Sequence, residues 1–154
     1  MRRLFSALLL LGPLAAGGCD STTEPRIEDT RFAAHLGIDL SQMTQLAGGM
    51  YVRDLTVGDG AAVQTGQLVS VFYKGWLADG RSFDQRQPPE PPFRFTLGER
   101  GLIAGWNLGM QGMRVGGVRQ MVIPPSLGYG RTGSPPAIPG DAILVFEVSV
   151  VGVQ

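Results

Sequence analysis

Residues 71–84 read Val71-Phe72-Tyr73-Lys74-Gly75-Trp76-Leu77-Ala78-Asp79-Gly80-Arg81-Ser82-Phe83-Asp84, and they contain the clearest structural pattern of the chain. Val71 and Tyr73 fall on one face of an extended chain, whereas Lys74 falls on the other, a spacing typical of a half-buried strand. Asp79-Gly80 is a preferred hairpin turn. The segment therefore predicts a strand over residues 68–77, followed directly by an antiparallel partner.

Four further segments have strand patterns that are bounded by turn residues: 50–55, 93–97, 118–123 and 143–151. In the last of them every second residue is apolar, which predicts one buried face. The residues of that face are Leu144, Phe146, Val148 and Val150. Residues 88–92 are rich in proline and cannot form a central strand, because proline has no N–H to donate. Together with Pro135-Pro136 they predict two long loops.

One segment has a different period. Ile103, Trp106, Met110 and Met113 recur at steps of three, four and three residues, which places them on one stripe of a helix. Glycines interrupt this segment, so the helix must be held by packing and not by its own propensity. The whole pattern predicts the α+β class, with an antiparallel sheet wrapped around one short amphipathic helix.

Composition narrows the range of functions. The chain has 13 basic and 13 acidic residues and no basic stripe, so it lacks the charge pattern of a nucleic-acid-binding protein. It contains no Gly-Lys-Ser/Thr phosphate loop, no nucleophile elbow and no Cys-x-x-Cys pair. The lone histidine, His35, has no second histidine to help it bind a metal and is interpreted as a surface or packing residue. We therefore expect neither a metal site nor a cofactor.

Four motifs in order resemble those of the FKBP-type peptidyl-prolyl cis-trans isomerases. The first is the segment 71–84 quoted above. The others are Leu102-Ile103-x-Gly105-Trp106, then Ile123-Pro124-Pro125-x-Leu127-Gly128-Tyr129-Gly130, and finally Ile138-Pro139 with Leu144-Val145-Phe146-Glu147-Val148. The similarity covers residues 46–151. It implies a five- or six-stranded antiparallel half-barrel around one short helix and a cofactor-free isomerase acting on X–Pro bonds, which we expect to be a monomer.

The resemblance also implies a substrate pocket. Asp84, Tyr129 and Ile103 match its catalytic positions, with Ile103 acting through its backbone N–H. The walls match at seven further positions, with Trp106 at the floor: Tyr73, Phe83, Phe93, Leu102, Trp106, Ile138 and Phe146. Proline-containing unfolded or extended polypeptides are the expected partners, and the macrolide inhibitors of the family are expected ligands.

Asp84 needs a hydrogen-bond partner if it lies against these rings, because an unpaired buried charge is costly. Many members of the family have a basic residue close by, at the position where this chain has Pro89. We predict that the Tyr73 hydroxyl and Arg86 together satisfy the carboxylate, and that Tyr73 contributes more.

The N-terminus resembles a bacterial lipoprotein signal. The apolar stretch 4–16 follows two arginines, and Gly17-Gly18 lead into Cys19, which is the only cysteine. The stretch is too short for a stable membrane span. We expect residues 1–18 to be a signal peptide and Cys19 to be acylated. The lipid would anchor the chain in the cell envelope, facing the periplasm or the cell exterior.

Residues 19–45 are expected to form a lipidated tether and an N-terminal arm. Residues 20–29 are polar, contain proline and lack periodicity, which predicts a flexible tether. Residues 32–43 could hold a short helix or an ordered arm, and Gly37 disfavours the helix. The isomerase domain is expected to occupy residues 46–154.

Two alternative functions stay open on the sequence alone. The pocket could bind proline-containing segments of an envelope partner without catalysing their isomerisation. The chain could also be a small β lipoprotein that carries a lipid or another ligand, although a sheet wrapped around one helix leaves little room for a cavity. Retention of Asp84, Trp106 and Tyr129 favours the isomerase over the first alternative.

Overall fold

The computed structural model describes residues 24–154. Within this part of the chain there are seven strands, one α-helix and five short 3-10 turns. The strands are β1 (Thr44–Gln45), β2 (Tyr51–Thr56), β3 (Leu68–Leu77), β4 (Ser82–Arg86), β5 (Phe93–Thr96), β6 (Val118–Ile123) and β7 (Leu144–Val153). The helix is α1 (Ala104–Gly109), and the 3-10 turns are Ile27–Asp29, Ala34–Leu36, Leu40–Gln42, Ala47–Gly49 and Pro125–Leu127.

The strands form one antiparallel sheet in the order β1-β2-β6-β7-β3-β4. The same edge of β3 pairs first with β5, through residues 68–71, and then with β4, through residues 73–76. The predicted antiparallel sheet with one short helix is confirmed. The additional seventh strand is β1, whose two residues are too few to leave a pattern in the sequence.

Helix α1 lies unusually close to the inner face of the sheet, because two of its residues have no side chain. A β-carbon on Gly105 would lie 2.5 Å from Cγ2 of Ile123, and one on Gly109 would lie 2.6 Å from Sδ of Met121. Both neighbours belong to β6. The glycines that weaken α1 as an isolated helix therefore allow it to pack on the sheet. Three residues of the predicted stripe are buried in the resulting main core: Trp106, Met110 and Met113.

The outer face of the sheet is covered by the N-terminal arm, defined here as residues 24–43. Ile27 and Leu36 of the arm form a second buried cluster, the outer cluster, with three residues of β6, β7 and the segment before β7: Val122, Ile143 and Val145. Residues 120–123 of β6 are consequently buried without interruption. A strand with one solvent-exposed face would instead alternate between buried and exposed residues.

Polar contacts fix the middle of the arm to the central strands. The buried amide of Gln120 donates to the backbone oxygen of Leu36 at 2.8 Å, and Arg53 Nη2 donates to the oxygen of Gly37 at 3.1 Å. Residues 32–43 therefore form the ordered arm and not an α-helix.

The prediction of a flexible tether over residues 20–29 is wrong for its last part. Residues 27–29 form a 3-10 turn, and Ile27 is 2% exposed. The neighbouring Glu28 accepts a hydrogen bond of 2.7 Å from the Tyr51 hydroxyl. A single apolar residue in a polar segment has no periodicity, so the sequence could not indicate that Ile27 is buried. The predicted signal peptide, Cys19 and residues 20–23 lie outside the described residues.

No helix within residues 24–154 is long and apolar enough to cross a membrane.

The arm should contribute substantially to stability. We expect Leu36→Ala to lower the free energy of unfolding by about 2–3 kcal/mol, because it leaves a cavity in the outer cluster. Leu55→Ala is the matched control, since Leu55 is 43% exposed and its loss should change stability by no more than about 0.5 kcal/mol. Urea denaturation of both variants measures the difference. Equal, small effects would contradict a structural role for the arm.

Candidate functional site

A cavity of about 130 Å³ opens between the start of α1, the strands β3 to β5 and the loop that follows β6. Nine of its lining residues were predicted from the sequence: Tyr73, Phe83, Asp84, Phe93, Leu102, Ile103, Trp106, Tyr129 and Phe146. They come from distant parts of the chain, because the sheet pairs β3 with β7, and Trp106 of α1 contacts a ring from each of these strands, Tyr73 and Phe146. The tenth lining residue, Gly101, was not predicted, since it presents only backbone to the cavity.

The floor of the cavity is a cluster of rings that meet edge to face. The ring of Trp106 lies 5.2 Å from that of Tyr73 and 5.4 Å from that of Phe146, at interplanar angles of 85° in both pairs. Phe83 meets Phe146 at 5.4 Å and 88°. Edge-to-face pairs of this kind stabilise each ring in one orientation. Phe95 supports the floor from behind, 5.6 Å from Trp106, without lining the cavity.

Gly75 makes the pairing of Phe83 with Phe146 possible. A β-carbon at Gly75 would lie 2.7 Å from Phe83 and 2.8 Å from Phe146. The two rings therefore fold over the backbone of β3 at the one position of that strand where no side chain opposes them. Any substitution at Gly75 should displace the wall of the cavity.

Asp84 lies at the rim and is held by two donors. Its Oδ2 accepts a hydrogen bond of 2.7 Å from the Tyr73 hydroxyl, and its Oδ1 accepts one of 2.8 Å from the backbone N–H of Gln85. The predicted contact with Tyr73 is present in the structure. Asp84 is more exposed to solvent than the sequence suggested, so water also hydrates its charge.

The predicted contact between Arg86 and Asp84 is wrong. Arg86 Nη1 instead forms an ion pair of 3.3 Å with Glu90. The chain turns tightly after β4, with the N–H of Glu90 donating to the oxygen of Gln87 at 3.1 Å, and this turn brings the Glu90 carboxylate back to Arg86. The charge of Arg86 is thus paired with Glu90, and the donors to Asp84 are the Tyr73 hydroxyl and the Gln85 N–H.

Both tyrosine hydroxyls of the site are kept protonated. Burial, and then the hydrogen bond and negative charge of Asp84, raise the pKa of Tyr73 well above its usual range. Burial raises the pKa of Tyr129 as well, and the charge of Asp84 adds to the effect. Each group is therefore a neutral hydroxyl at physiological pH, able to donate a hydrogen bond.

Three of the residues that line the cavity have a donor without a protein acceptor among residues 24–154. The Tyr129 side chain is 40% exposed, and its hydroxyl has no hydrogen-bond partner among residues 24–154. The indole Nε1 of Trp106 is buried and also has no partner in the described chain. Ile103 is the N-cap residue of α1, so its N–H lies outside the hydrogen-bond ladder of the helix.

Ile138 is the predicted site residue that does not line the cavity. It is 4% exposed and packs in the main core. Its backbone forms an antiparallel bridge with Ser134, whose N–H donates to the oxygen of Ile138 at 2.8 Å. Ile138 therefore anchors the loop between β6 and β7, the same loop that carries Tyr129.

A larger cleft, of about 630 Å³, lies between β2 and the end of α1. Its most prominent charged residue, Arg119, has its donors engaged by the carboxylate of Asp54 and by the backbone oxygens of Gly109 and Gln111. Arg119 is therefore engaged within the protein and is not free to bind a ligand. In the part of the chain that the structure describes, no cluster of three His, Cys, Asp or Glu residues could hold a metal ion.

Comparison with known proteins agrees with this geometry. A family model described as FKBP-type peptidyl-prolyl cis-trans isomerase matches residues 60–151. The chain belongs to this family. Human peptidyl-prolyl cis-trans isomerase FKBP2 is 38% identical over 136 residues, which cover 84% of this chain and 96% of that protein. The crystal structure of a peptidyl-prolyl cis-trans isomerase from Pseudomonas syringae pv. tomato is similar with a TM-score of 0.68 and 32% identity, covering 79% of this chain and 86% of that one.

Other FKBP relatives are much longer than this chain. The 46 kDa FK506-binding nuclear protein of Spodoptera frugiperda is 43% identical over 110 residues, which make up 71% of this chain but only 27% of that protein. This chain spans only about a quarter to a third of such curated relatives. The residues matched by the family model, 60–151, include all ten residues that line the cavity.

The hydrogen bond between Tyr73 and Asp84 should stabilise the site. We expect Tyr73→Phe to lower the free energy of unfolding by about 1 kcal/mol, because Tyr73 is 9% exposed and its hydroxyl has a charged acceptor. Arg86→Ala removes an ion pair in which Glu90 is 59% exposed, together with a buried Nε that has no acceptor in the described chain, and should cost less than about 0.5 kcal/mol.

Urea denaturation measures both values. Tyr51→Phe is the matched control for the loss of a hydroxyl, because the bond from Tyr51 to Glu28 is exposed. If Arg86→Ala were the most destabilising of the three variants, our assignment of the partners of Asp84 would be incorrect.

Proposed function

We propose that this protein catalyses cis-trans isomerisation of X–Pro peptide bonds, with the cavity around Trp106 as its active site. The observation that carries the proposal is the contrast between the floor and the rim of the cavity. The floor consists of aromatic rings, whereas the polar groups, the Asp84 carboxylate and the Tyr129 hydroxyl, stand at its rim. A prolyl ring fits the apolar floor, and the flanking amides of an extended chain require polar partners at the rim.

This arrangement suits a reaction that makes and breaks no covalent bond. Rotation about the X–Pro bond must overcome a barrier of about 18–20 kcal/mol, which arises from amide resonance. The twisted amide at the top of the barrier has lost that resonance and is less polar than the planar form. A water-poor aromatic site therefore destabilises the planar amide relative to the twisted one.

Hydrogen bonds from the rim would hold the substrate while the bond rotates. The neutral Tyr129 hydroxyl, which has no protein acceptor among residues 24–154, can donate to a substrate carbonyl. The N–H of Ile103, at the start of α1, can donate to another. Such contacts fix one side of the X–Pro bond so that the other side turns.

The decisive experiment compares Tyr129→Phe with Tyr51→Phe in a protease-coupled or refolding assay. We expect the wild type to accelerate isomerisation and Tyr129→Phe to reduce kcat/KM by about 3- to 10-fold, which corresponds to the loss of one hydrogen bond of about 1 kcal/mol. Tyr51→Phe removes the same atom on the arm side of the sheet and should leave kcat/KM unchanged. A wild-type rate equal to the uncatalysed one for several X residues would instead favour a non-catalytic module that binds proline-containing segments.

We also propose that the pocket binds macrolides of the FK506 class. Relatives with similar sequences are named FK506-binding proteins, among them the Spodoptera frugiperda protein. A rigid macrolide with a proline-like ring would occupy the same aromatic floor as the substrate. Competition between such a macrolide and a prolyl peptide tests this part of the proposal.

We further propose that the protein is a monomeric lipoprotein of the cell envelope that assists the folding of exported proteins. Gly17-Gly18 before the single Cys19 support acylation of that cysteine. Uncatalysed prolyl isomerisation takes tens to hundreds of seconds, so an isomerase is useful wherever proteins arrive unfolded. Because the folded arm already includes Ile27, eight residues after Cys19, the lipid would hold the domain within about 28 Å of the membrane.

The anchor can be tested in the native host. We expect the wild type to take up labelled fatty acid and to fractionate with membranes, and Cys19→Ser to lose both properties because no other cysteine is present. Ser21→Ala is a suitable control, since it changes a nearby residue without removing the thiol. Export of an unlabelled, soluble wild-type protein would rule out the lipoprotein assignment.

A further inference from the structure

The N-terminal arm contacts the turn between β3 and β4, which leads into the strand that carries Phe83 and Asp84. The backbone N–H of Ala33 donates to the oxygen of Ala78 at 2.9 Å. The imidazole of His35 lies against Gly80, so close that a β-carbon there would be 2.3 Å from its Cε1. Gly80 has a φ of +90°, so the turn needs glycine for its backbone conformation as well as for this contact.

Strand β4 is held mainly by β3, through the strand pairing, the bond from Tyr73 to Asp84 and the bond from Ser82 to Gly75. It is an edge strand, paired only with β3, and the register shifts between Gly75 and Trp76, close to the turn. Three of its five residues are exposed. An irregular edge strand is free to shift or twist unless neighbouring groups hold it.

The arm, in contrast, is firmly attached at this point. Leu36, three residues after Ala33, is 6% exposed in the outer cluster, and its carbonyl accepts the buried amide of Gln120. The next carbonyl, that of Gly37, accepts from Arg53. Both donors belong to the central strands β2 and β6. A continuous set of contacts therefore runs from the centre of the sheet through the arm to the turn.

We propose that the arm positions β4, and that Ala33 and His35 are positioning residues for Phe83 and Asp84. The contact with the turn fixes where β4 starts, and the bond from Asp84 to Tyr73 fixes its middle. Together they hold the Phe83 wall against Phe146. Loss of the contact with the arm lets β4 shift relative to Trp106 while the core remains folded. This inference rests on the proposed isomerase function where it concerns rates.

Ala33→Pro breaks the contact between the arm and the turn. Ala33 has a φ of −62°, close to the value that proline imposes, so its own backbone conformation suits proline, while the N–H that binds Ala78 is lost and the ring Cδ takes its place against the Ala78 oxygen. Ala34→Pro is the matched control. Ala34 starts the 3-10 turn, a position that tolerates proline, and Ala33 before it has a ψ of 137°, as the residue before a proline requires.

We expect Ala33→Pro to reduce kcat/KM about 3- to 10-fold at a temperature well below its Tm, and Ala34→Pro to stay within twofold of the wild type. His35→Ala, which removes the ring from Gly80, should reduce kcat/KM in the same direction. Because His35 is exposed, this variant should fold even if Ala33→Pro does not. In an Asp84→Leu background the effect of Ala33→Pro should become smaller, since one of the two groups that it positions is gone while Phe83 remains.

The position of Asp84 can also be measured without an activity assay. The backbone amide proton of Gln85 is hydrogen-bonded to Asp84 Oδ1, so its NMR chemical shift reports on that contact. We expect this proton to shift in Ala33→Pro and His35→Ala and to keep its wild-type value in Ala34→Pro. An unchanged Gln85 proton, equal kcat/KM values for the two proline variants, or a full effect of Ala33→Pro in the Asp84→Leu background would each overturn the inference. If the wild type has no isomerase activity, the proposed function fails, and the Gln85 signal still decides whether the arm positions Asp84.

Discussion

The close packing of helix α1 on β6 is the constraint on which the rest of the structure depends. Gly105 and Gly109 lie one turn apart and face the sheet, where a methyl group on either would collide with Ile123 or Met121. Trp106 follows the first of these glycines, so the close approach of the helix also brings Trp106 against the sheet, where it is 4% exposed. The distance between the helix and the sheet therefore determines how deep the cavity above the helix is.

The cavity separates two kinds of environment within a short distance. Its floor consists of aromatic rings that pack edge to face, and its rim carries a carboxylate and hydroxyl groups. The negative charge of Asp84 and the partial burial of Tyr73 and Tyr129 both favour the protonated phenols. The site therefore offers neutral donors next to an apolar surface. Such a site suits conformational chemistry, because no group in it has to change its protonation state.

The outer face of the sheet shows that the folded unit extends beyond the family motifs. The family match begins at residue 60, yet Ile27 and Leu36 are buried against β6 and the entry to β7. The central strands are consequently enclosed on both faces, by α1 on one side and by the arm on the other. The arm, which covers the outer face of the sheet, also contacts the β3–β4 turn. Through this turn it is connected to β4, which forms a wall of the cavity on the inner face.

The elements with local signals could be predicted from the amino-acid sequence. Alternation in β3 and β7 and the Asp79-Gly80 turn depend on neighbouring residues, and each was predicted correctly. The helix around Trp106 was also predicted, but the predicted stripe was too long, because α1 ends at Gly109, before Met110 and Met113. The family motifs added nine of the ten residues around the cavity. Gly101 was not predicted, because a glycine contributes only backbone to the cavity and leaves no side-chain pattern in the sequence.

Contacts between residues that are far apart in the chain became apparent only in the folded structure. Ile27 is one apolar residue in a polar segment, and its burial depends on a site on β6 nearly a hundred positions away. Arg86 pairs with Glu90 and not with Asp84 because of how the chain turns after β4. Ile138 supports its loop from the core although its motif suggested a pocket wall. Each of these contacts is selected by packing between segments that are far apart in the chain, and local residue patterns carry no information about such pairings.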